Sequence, residues 1–316
     1  MEYAAAITRG DFALHYCRLE LTYLAEGNAN VIFSIRCMTP EPGLCVDGCV
    51  LRLRKDLPFT EPSTHALTAY KRRIQPLFIP GYAHLLLEQS LFKLDETILH
   101  DAQSILRALE RDTRPNRPYS RRNVYLPGLD EESYGILMPN LTRRGMKLLE
   151  FKPKWLLQSP SAPHNADKGR GDSGFCPFQL LADNPTTILK AIGDLDPVAM
   201  KPSFISSFIL KVQPALRHLQ SLQLNYNQVG LSDFEGIAGD DLAVAMALRD
   251  CSAFLIVDPH PEHPEIVEVK FADLELKSPG AGKQEHWASI ERSLLDSGAY
   301  LFPDNICALG PGDEQI

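Results

Sequence analysis

Apolar and polar residues alternate along several short segments in the first half of the chain. The runs LELTYLAEG and NVIFSIRCM are rich in β-branched and aromatic residues, and EGNAN between them has the composition of a turn. Residues 49–54, CVLRLR, alternate apolar and basic side chains, and residues 135–138 form a short apolar run. These patterns predict an antiparallel sheet with short connections.

Other segments repeat their apolar residues at helical spacing. In the first half this spacing predicts helices at HALTAYKRRI, which follows Pro62, and over residues 85–109. In the second half, KLLEFKPKWLL is strand-like and the polar, Pro- and Gly-rich residues 158–174 predict a loop. Three further helices are predicted there, at ILKAIGDL, 204–224 and 240–248.

The last regular segments form a predicted hairpin. Residues 253–257 and 266–271 have the composition of strands, and DPHPEHPE between them contains prolines that force a turn. We place a domain boundary after residue 139. The sequence thus predicts an α+β protein with a smaller antiparallel-sheet domain at 1–139 and a larger domain at 140–316.

Composition narrows the class of protein. The chain has 316 residues, of which 44% are hydrophobic and 23% are charged, and no run of 18 apolar residues predicts a membrane span. Its start, MEYAAAITRGDF, is unlike a secretory signal, and seven scattered cysteines predict reduced thiols. We therefore expect a nuclear or cytoplasmic monomer without membrane insertion.

The charge balance is acidic overall but basic in places. A net charge of −8 disfavours a nucleic-acid partner. Yet residues 143–154 contain five basic residues and one acid, and Arg52, Arg54 and Lys55 form a second basic group. Each cluster is either a solvated face or part of a site for a highly charged anion.

Two aspartates carry the candidate chemistry. Asp250 follows the last predicted helix and precedes the hairpin, and Asp273 comes directly after it. Because a hairpin returns its two ends to one place, these carboxylates are predicted to be neighbours. This order of elements resembles that of protein-kinase-like enzymes, in which one carboxylate orients and deprotonates the acceptor hydroxyl and the other holds Mg²⁺ against ATP. The alternative is that each Asp caps a helix or a turn.

The first half supplies further parts in the same order. Gly27 lies in a turn between two strands, where backbone can approach phosphates, and Asn28 and Asn30 add amide donors. Arg52 stands in the third strand, where kinases place a phosphate-contacting Lys. Residues 62–87 contain no acid for the Lys–Glu pair of protein kinases, and Leu255 replaces their metal-binding Asn. Both differences favour a small-molecule acceptor.

A series of segments then makes the resemblance specific. EGNANVIFSI, VLRLRK, ILMPN, LEFKPKW, LRDCSAFLIV and KFADLELKS occur in this order. Together they resemble the motifs of the inositol-pentakisphosphate 2-kinases, fungal members in particular, from about residue 20 to residue 290. The resemblance implies a bilobal inositol polyphosphate kinase fold with an antiparallel-sheet N-lobe and a larger C-lobe. It also implies ATP, Mg²⁺ and inositol pentakisphosphate as ligands, with inositol hexakisphosphate as the product.

The resemblance also implies residue roles. The catalytic base falls on Asp250 and the Mg²⁺ ligand on Asp273. The ATP-binding residues lie in the glycine turn, the third strand, the hinge and the EFKPK segment, and Glu150 among them contacts the ribose. They fall on Gly27, Asn28, Asn30, Arg52, Met138, Asn140, Glu150 and Lys152. The substrate-binding residues fall on Lys154, Lys168, Lys277, Lys283 and Trp287.

One segment departs from the family pattern. After KPKW the family has a longer basic segment, whereas this chain has SAPHNADKGRGDSGFCPF; within it, His164 and Lys168 keep a His-x-x-x-Lys spacing of plant members. A substrate with ~1.5–2 negative charges on each of its phosphates carries roughly 8–10 charges and needs several converging basic residues. Two alternatives therefore remain: another small-molecule kinase, or an inositol-phosphate-binding protein with impaired catalysis.

Overall fold

The computed structural model describes residues 4–5, 15–16, 19–38, 46, 48–58, 60–111, 117–157, 177–226, 239–276 and 283–296. The chain forms two compact units. Unit 1 comprises Met1–Lys71 and Leu87–Asn140, and unit 2 comprises Arg72–Leu86 and Leu141–Ile316. The functional division at residue 139 stays a prediction.

Unit 1 is built on an antiparallel sheet. Two short strands, β1 (Ala4–Ala5) and β2 (His15–Tyr16), pair with each other. Five strands form the main sheet of the described residues in the order β3-β4-β5-β7-β6. They are β3 (Leu19–Glu26), β4 (Asn30–Cys37), β5 (Cys49–Arg54), β6 (Ser90–Lys93) and β7 (Tyr134–Pro139). The sheet predicted from the alternation is therefore confirmed.

Unit 1 also contains the start of α1 (Ser63–Arg73), helix α2 (Glu96–Arg111) and a 3₁₀ turn at Tyr119–Arg121. Helix α2 packs on this sheet and closes its core. Phe33 and Leu51 of the sheet pack in one cluster with Ile98 and Leu106 of α2, all fully buried. Burial of such side chains stabilises the fold by about 1.5–3 kcal/mol each.

The single helix predicted over residues 85–109 is wrong in its first part. Residues Ser90–Lys93 instead form β6 and pair with β7, because its sheet partner decides the state of a short apolar run. The helix begins at Glu96, where Oδ1 of Asp95 accepts hydrogen bonds from the amides of Thr97 and Ile98. Asp95 is thus an N-cap that separates strand from helix.

Unit 2 combines a smaller sheet with helices. Its strands, in the order β10-β9-β8, are all antiparallel: β8 (Lys147–Phe151), β9 (Ser252–Asp258) and β10 (Glu265–Ala272). The α-helices are α3 (Pro185–Ile192), α4 (Pro202–Ser207), α5 (Gln213–Asn225), α6 (Gly239–Asp250) and α7 (Lys283–Asp296). Short 3₁₀ turns lie at Gln75–Phe78, Ala83–Leu85, Pro177–Leu181 and Pro197–Met200. The predicted hairpin is confirmed as β9 and β10.

The helix predicted over 204–224 is interrupted in its geometry. Between α4 and α5, Phe208–Val212 forms a π-helical segment. Pro214 explains the change, because it has no amide hydrogen and its ring crowds the carbonyl four residues earlier. The wider turn relieves that clash without ending the helix.

The described residues confirm a mixed α+β protein with antiparallel sheets. Among the described residues, no helix has the length and apolar character of a membrane span.

Candidate active site

The β9–β10 hairpin brings the two aspartates to one end of the sheet in unit 2. Asp250 is the last residue of α6, and β9 begins two residues later. The register pairs Ala272 with Ser252, so Asp273 leaves β10 beside the chain that links Asp250 to β9. The predicted proximity therefore follows from the observed pairing.

Ser252 connects two carboxylates at this end of the sheet. Its hydroxyl lies 2.7 Å from Oε1 of Glu150 and 3.3 Å from Oδ2 of Asp273, and the residue is fully buried. A hydroxyl has one proton, so it can donate to one carboxylate at a time. Two anions thus share one donor, which is an arrangement that favours a bound cation.

Lys152 connects the other aspartate to the same cluster. Its ammonium donates to Oδ1 of Asp250 at 2.9 Å and to the Asp250 carbonyl at 3.0 Å. Burial lowers the pKa of Lys152, but the hydrogen bond and charge of Asp250, with the charges of Asp273 and Glu150, outweigh it and leave that pKa raised. Lys152 therefore stays protonated at neutral pH.

Two residues of the site have left-handed backbone conformations. Lys154 has a φ of 59° and Asp273 a φ of 57°. For residues other than Gly, Asn and Asp such a conformation costs about 1–3 kcal/mol and is concentrated at functional sites. Lys154 is therefore a position where the backbone conformation is costly, three residues after the end of β8.

Gln223 holds the KPKW segment in place. This side chain of α5 is almost fully buried, and its amide donates to the Lys154 carbonyl at 3.0 Å and to the Leu248 carbonyl at 2.9 Å. Its Oε1 accepts from the Leu156 amide at 2.8 Å. Gln223 thereby ties the lysine-bearing segment to α6, which carries Asp250. The sequence signalled neither Gln223 nor Ser252, since both are neutral residues without a spacing pattern.

The residues on either side of the predicted catalytic ones also meet. The guanidinium carbon of Arg249 lies 2.9 Å from the ring centroid of Trp155. Such a cation–π contact contributes about 2 kcal/mol or more when it is desolvated. The contact holds Arg249, which precedes Asp250, against Trp155, which follows Lys154.

The remaining predicted nucleotide contacts in the described chain lie in unit 1. The turn of Gly27, Asn28 and Ala29 joins β3 to β4, and the Gly27 amide donates to the Asn30 carbonyl at 2.9 Å. Arg52 is mostly buried in β5. Burial raises the pKa of the neighbouring Tyr70 to about 12, and the positive charge of Arg52 opposes that rise.

The predicted hinge residues follow the same sheet. Met138 pairs with Val50 across β7 and β5. The Asn140 amide donates to the Gly48 carbonyl at 2.7 Å. Both residues belong to unit 1.

The structure describes only some of the predicted substrate-binding residues that follow Lys154. Lys168 and Lys277 lie outside the described residues. Lys283 is the first residue of α7, where only its backbone is described. Trp287 of the same helix is half-buried and packs against a small core of Leu242, Ala245 and Ala288.

The carboxylates of the site suit Mg²⁺. In the described part of the chain no group of three or more His, Cys, Asp or Glu side chains is arranged to hold a metal. Mg²⁺ in phosphate-transferring sites needs fewer, because one or two carboxylates hold it together with waters and substrate phosphates. Asp273 and Glu150, linked through Ser252, provide such oxygen ligands.

Comparison with known proteins identifies the family. The family model described as inositol-pentakisphosphate 2-kinase matches residues 23–197, which is more than half of the chain. An inositol-pentakisphosphate 2-kinase of Yarrowia lipolytica (strain CLIB 122 / E 150) is 30% identical over 176 residues, covering 51% of this chain and 56% of the relative. The aligned part thus spans little more than half the length of that relative, and the family match ends before Asp250 and Asp273. The chain belongs to the inositol-pentakisphosphate 2-kinase family.

Proposed function

We propose that the protein transfers the γ-phosphoryl group of ATP to the 2-hydroxyl of inositol 1,3,4,5,6-pentakisphosphate and so forms inositol hexakisphosphate. The observation that carries the proposal is the cluster at the end of the β9–β10 hairpin, in which Ser252 links Glu150 to Asp273 and Lys152 binds Asp250. Family membership adds the substrate class. In the same proposal, residues 1–139 form the N-lobe and residues 140–316 the C-lobe of an inositol polyphosphate kinase fold, and the enzyme acts in the nucleus or cytoplasm.

Asp250 is the base of the proposed reaction. Its carboxylate is partly exposed, so an acceptor hydroxyl can reach it. As the hydroxyl oxygen bonds to the γ-phosphorus, its proton passes to Asp250, the bond from that phosphorus to the β–γ bridging oxygen breaks, and ADP leaves. Lys152 holds the Asp250 carboxylate in place and, being protonated, favours the negative charge that gathers on the phosphoryl group.

Asp273 would hold Mg²⁺, and Glu150, linked to it through Ser252, is proposed as a second ligand in place of the ribose contact that the family resemblance implies. When bound, Mg²⁺ neutralises phosphate charge during transfer. Lys154 belongs to the proposed inositol phosphate site, with Lys168, Lys277, Lys283 and Trp287 as further members. Gly27, Asn28, Asn30, Arg52, Met138 and Asn140 belong to the proposed nucleotide site.

The direct test is an assay of the purified chain with ATP, MgCl₂ and a panel of inositol phosphates. We expect phosphate transfer to the pentakisphosphate, with ³¹P NMR of the product showing a new phosphate on the 2-position. Transfer to a different acceptor would replace the substrate assignment. Binding of the pentakisphosphate without transfer would refute the catalytic assignment.

A matched pair of variants tests the metal assignment. Asp273→Asn keeps the left-handed conformation, which Asn tolerates, but removes the anionic ligand. We expect it to lose Mg²⁺-dependent ATP binding and turnover. Asp258→Asn is the control, because Asp258 is the last residue of β9, at the opposite end of the same hairpin from Asp273, and is exposed. Equal Mg²⁺ dependence in the two variants would exclude Asp273 as the ligand.

A further inference from the structure

A buried ionic cluster lies beneath the β3–β4 turn of unit 1. The carboxylate of Glu26, the last residue of β3, accepts from Nζ of Lys55 at 2.5 Å and from Nε of Arg117 at 2.8 Å. The side chains of Glu26, Lys55 and Arg117 are at most 1% exposed. Arg117 also binds Glu110, whose other oxygen accepts from the Tyr125 hydroxyl at 2.6 Å.

Stability alone is a poor explanation for this cluster. Each buried ion loses several kcal/mol of hydration, and apolar residues of similar volume often stabilise a protein as well or better. Burial lowers the pKa of Lys55 despite its contact with Glu26, which shows that desolvation weighs heavily on this ammonium. A buried lysine of this kind needs a further role in the fold or in the function.

The cations hold backbone carbonyls of the turn. Nζ of Lys55 donates to the Gly27 carbonyl at 2.9 Å, and the Lys55 amide donates to the Ala29 carbonyl at 2.8 Å. Nη1 of Arg121 donates to the Glu26 carbonyl at 3.1 Å. The basic side chains and the Lys55 backbone thus bind three of the carbonyl oxygens along residues 26–29.

Peptide geometry fixes the direction of the adjoining amide. In a trans peptide the carbonyl of one residue and the amide hydrogen of the next point to opposite sides. Because the Gly27 carbonyl points to Lys55 in the buried cluster, the Asn28 amide hydrogen points away from it. Successive backbone amides that point out of a turn form concavities that bind phosphate oxygens, and the Asn28 amide has the direction of such a donor.

We propose that Lys55 is a positioning residue that orients the turn so that the Asn28 amide donates to the terminal phosphates of a nucleoside triphosphate. The inference rests on the proposed function and adds a mechanism for its nucleotide site. Glu26 and Glu110 balance the charges of Lys55 and Arg117, so these four residues act on the turn through geometry, whereas Arg121 adds a positive charge beside it. Charge recognition is left to residues outside the cluster.

The test compares ATP with AMP, which lacks the terminal phosphates. Calorimetric titrations with Lys55→Met are expected to show ATP affinity reduced about tenfold or more and AMP affinity unchanged. The control is Arg54→Met, because the side chain of the adjacent Arg54 makes a buried ion pair with Glu132 at 2.9 Å and donates to Thr60 and the Glu131 carbonyl, while its backbone pairs with Asn30 after the turn. It should lower the melting temperature and leave the ratio of ATP to AMP affinity as in the wild type.

A second variant covers the case in which Lys55→Met does not fold. Arg121 is half-buried and holds the Glu26 carbonyl, so Arg121→Met is expected to fold and to show a smaller loss for ATP alone. Equal losses for ATP and AMP, or no loss for either, would overturn the inference while the proposed function stands. A wild-type chain that binds no ATP would overturn the proposed function itself.

Discussion

Ser252→Ala tests how the two carboxylates of the candidate site are held. The change removes one hydroxyl from a fully buried position and leaves Glu150 and Asp273 without the donor they share. A hydrogen bond to a charged group contributes about 1.5–3 kcal/mol. Part of this loss lowers the free energy of unfolding, and part weakens the orientation of the Asp273 carboxylate.

The effect on Asp273 concerns its side chain. Its φ of 57° is a left-handed conformation that Asp adopts more readily than most residues, so the change acts on the carboxylate rather than on the backbone. Without the Ser252 hydroxyl, we expect the carboxylate to lose its fixed direction and Mg²⁺ to be held more weakly. A loss of about 1.4 kcal/mol in this contact corresponds to a tenfold higher Mg²⁺ concentration for half-maximal activity.

The assay measures phosphate transfer against Mg²⁺ concentration at saturating ATP. Ser207→Ala is the matched control, because it also removes a buried hydroxyl. The Ser207 hydroxyl accepts from the amide of Ile266 at 3.0 Å, and Ile266 lies near the start of β10, whereas Asp273 follows the end of that strand. Both variants should lose stability, and only Ser252→Ala should need more Mg²⁺. An identical Mg²⁺ requirement in the two variants would refute this role of Ser252.

Three other perturbations give separate readouts. Asp250→Asn should lower turnover ~10²–10⁴-fold while ATP affinity, measured by titration, is retained; wild-type turnover would remove Asp250 as the base. Lys154→Gly removes the steric cost of the left-handed conformation at this position, so the melting temperature should stay the same or rise. The affinity for the pentakisphosphate should fall about 10- to 100-fold, and an unchanged affinity would contradict the substrate assignment. Burial raises the pKa of Glu26, but hydrogen bonds from Arg117 and Lys55 outweigh it and hold that pKa below the ordinary 4.5. The stabilisation by Glu26 is therefore present above pH 4.5 and is lost as the pH falls below that value. The melting temperature of Glu26→Gln should depend less on pH in this acid range than that of the wild type. Parallel plots of melting temperature against pH for the two proteins would refute this contribution of Glu26.

The sheets and the proximity of the aspartates could be predicted because they depend on local patterns. Alternation defined β3, β4 and β5, and the prolines between β9 and β10 forced the turn that returns Asp273 to Asp250. The boundary between β6 and α2 was missed although the sequence contained its signal. Asp95 is an N-cap, and its spacing to the amides of Thr97 and Ile98 distinguishes a helix start from a continuous helix.

The contacts that hold the site could not be predicted from the sequence. Arg117 and Glu26 are 91 residues apart, and no local pattern indicates that one will bury its charge against the other. Without that pairing, Lys55 belonged to a basic run that had a solvated face as its simplest interpretation. Gln223 and Ser252 act through side-chain hydrogen bonds in a folded interior, which leave no periodicity along the chain.

The charge of the hairpin cluster constrains how a polyphosphate can approach it. Asp250, Asp273 and Glu150 face one lysine, Lys152, which leaves an excess of two negative charges in groups that contact one another. Mg²⁺ bound by Asp273 and Glu150 would cancel this excess, so the cluster would give a substrate with roughly 8–10 negative charges no net attraction. Its phosphates are therefore expected to lie towards basic residues such as Lys154, and its neutral hydroxyl towards Asp250. In the proposed reaction, attraction to the basic residues would orient the substrate with its only unphosphorylated position towards the base, which is the geometry that transfer to the 2-hydroxyl requires.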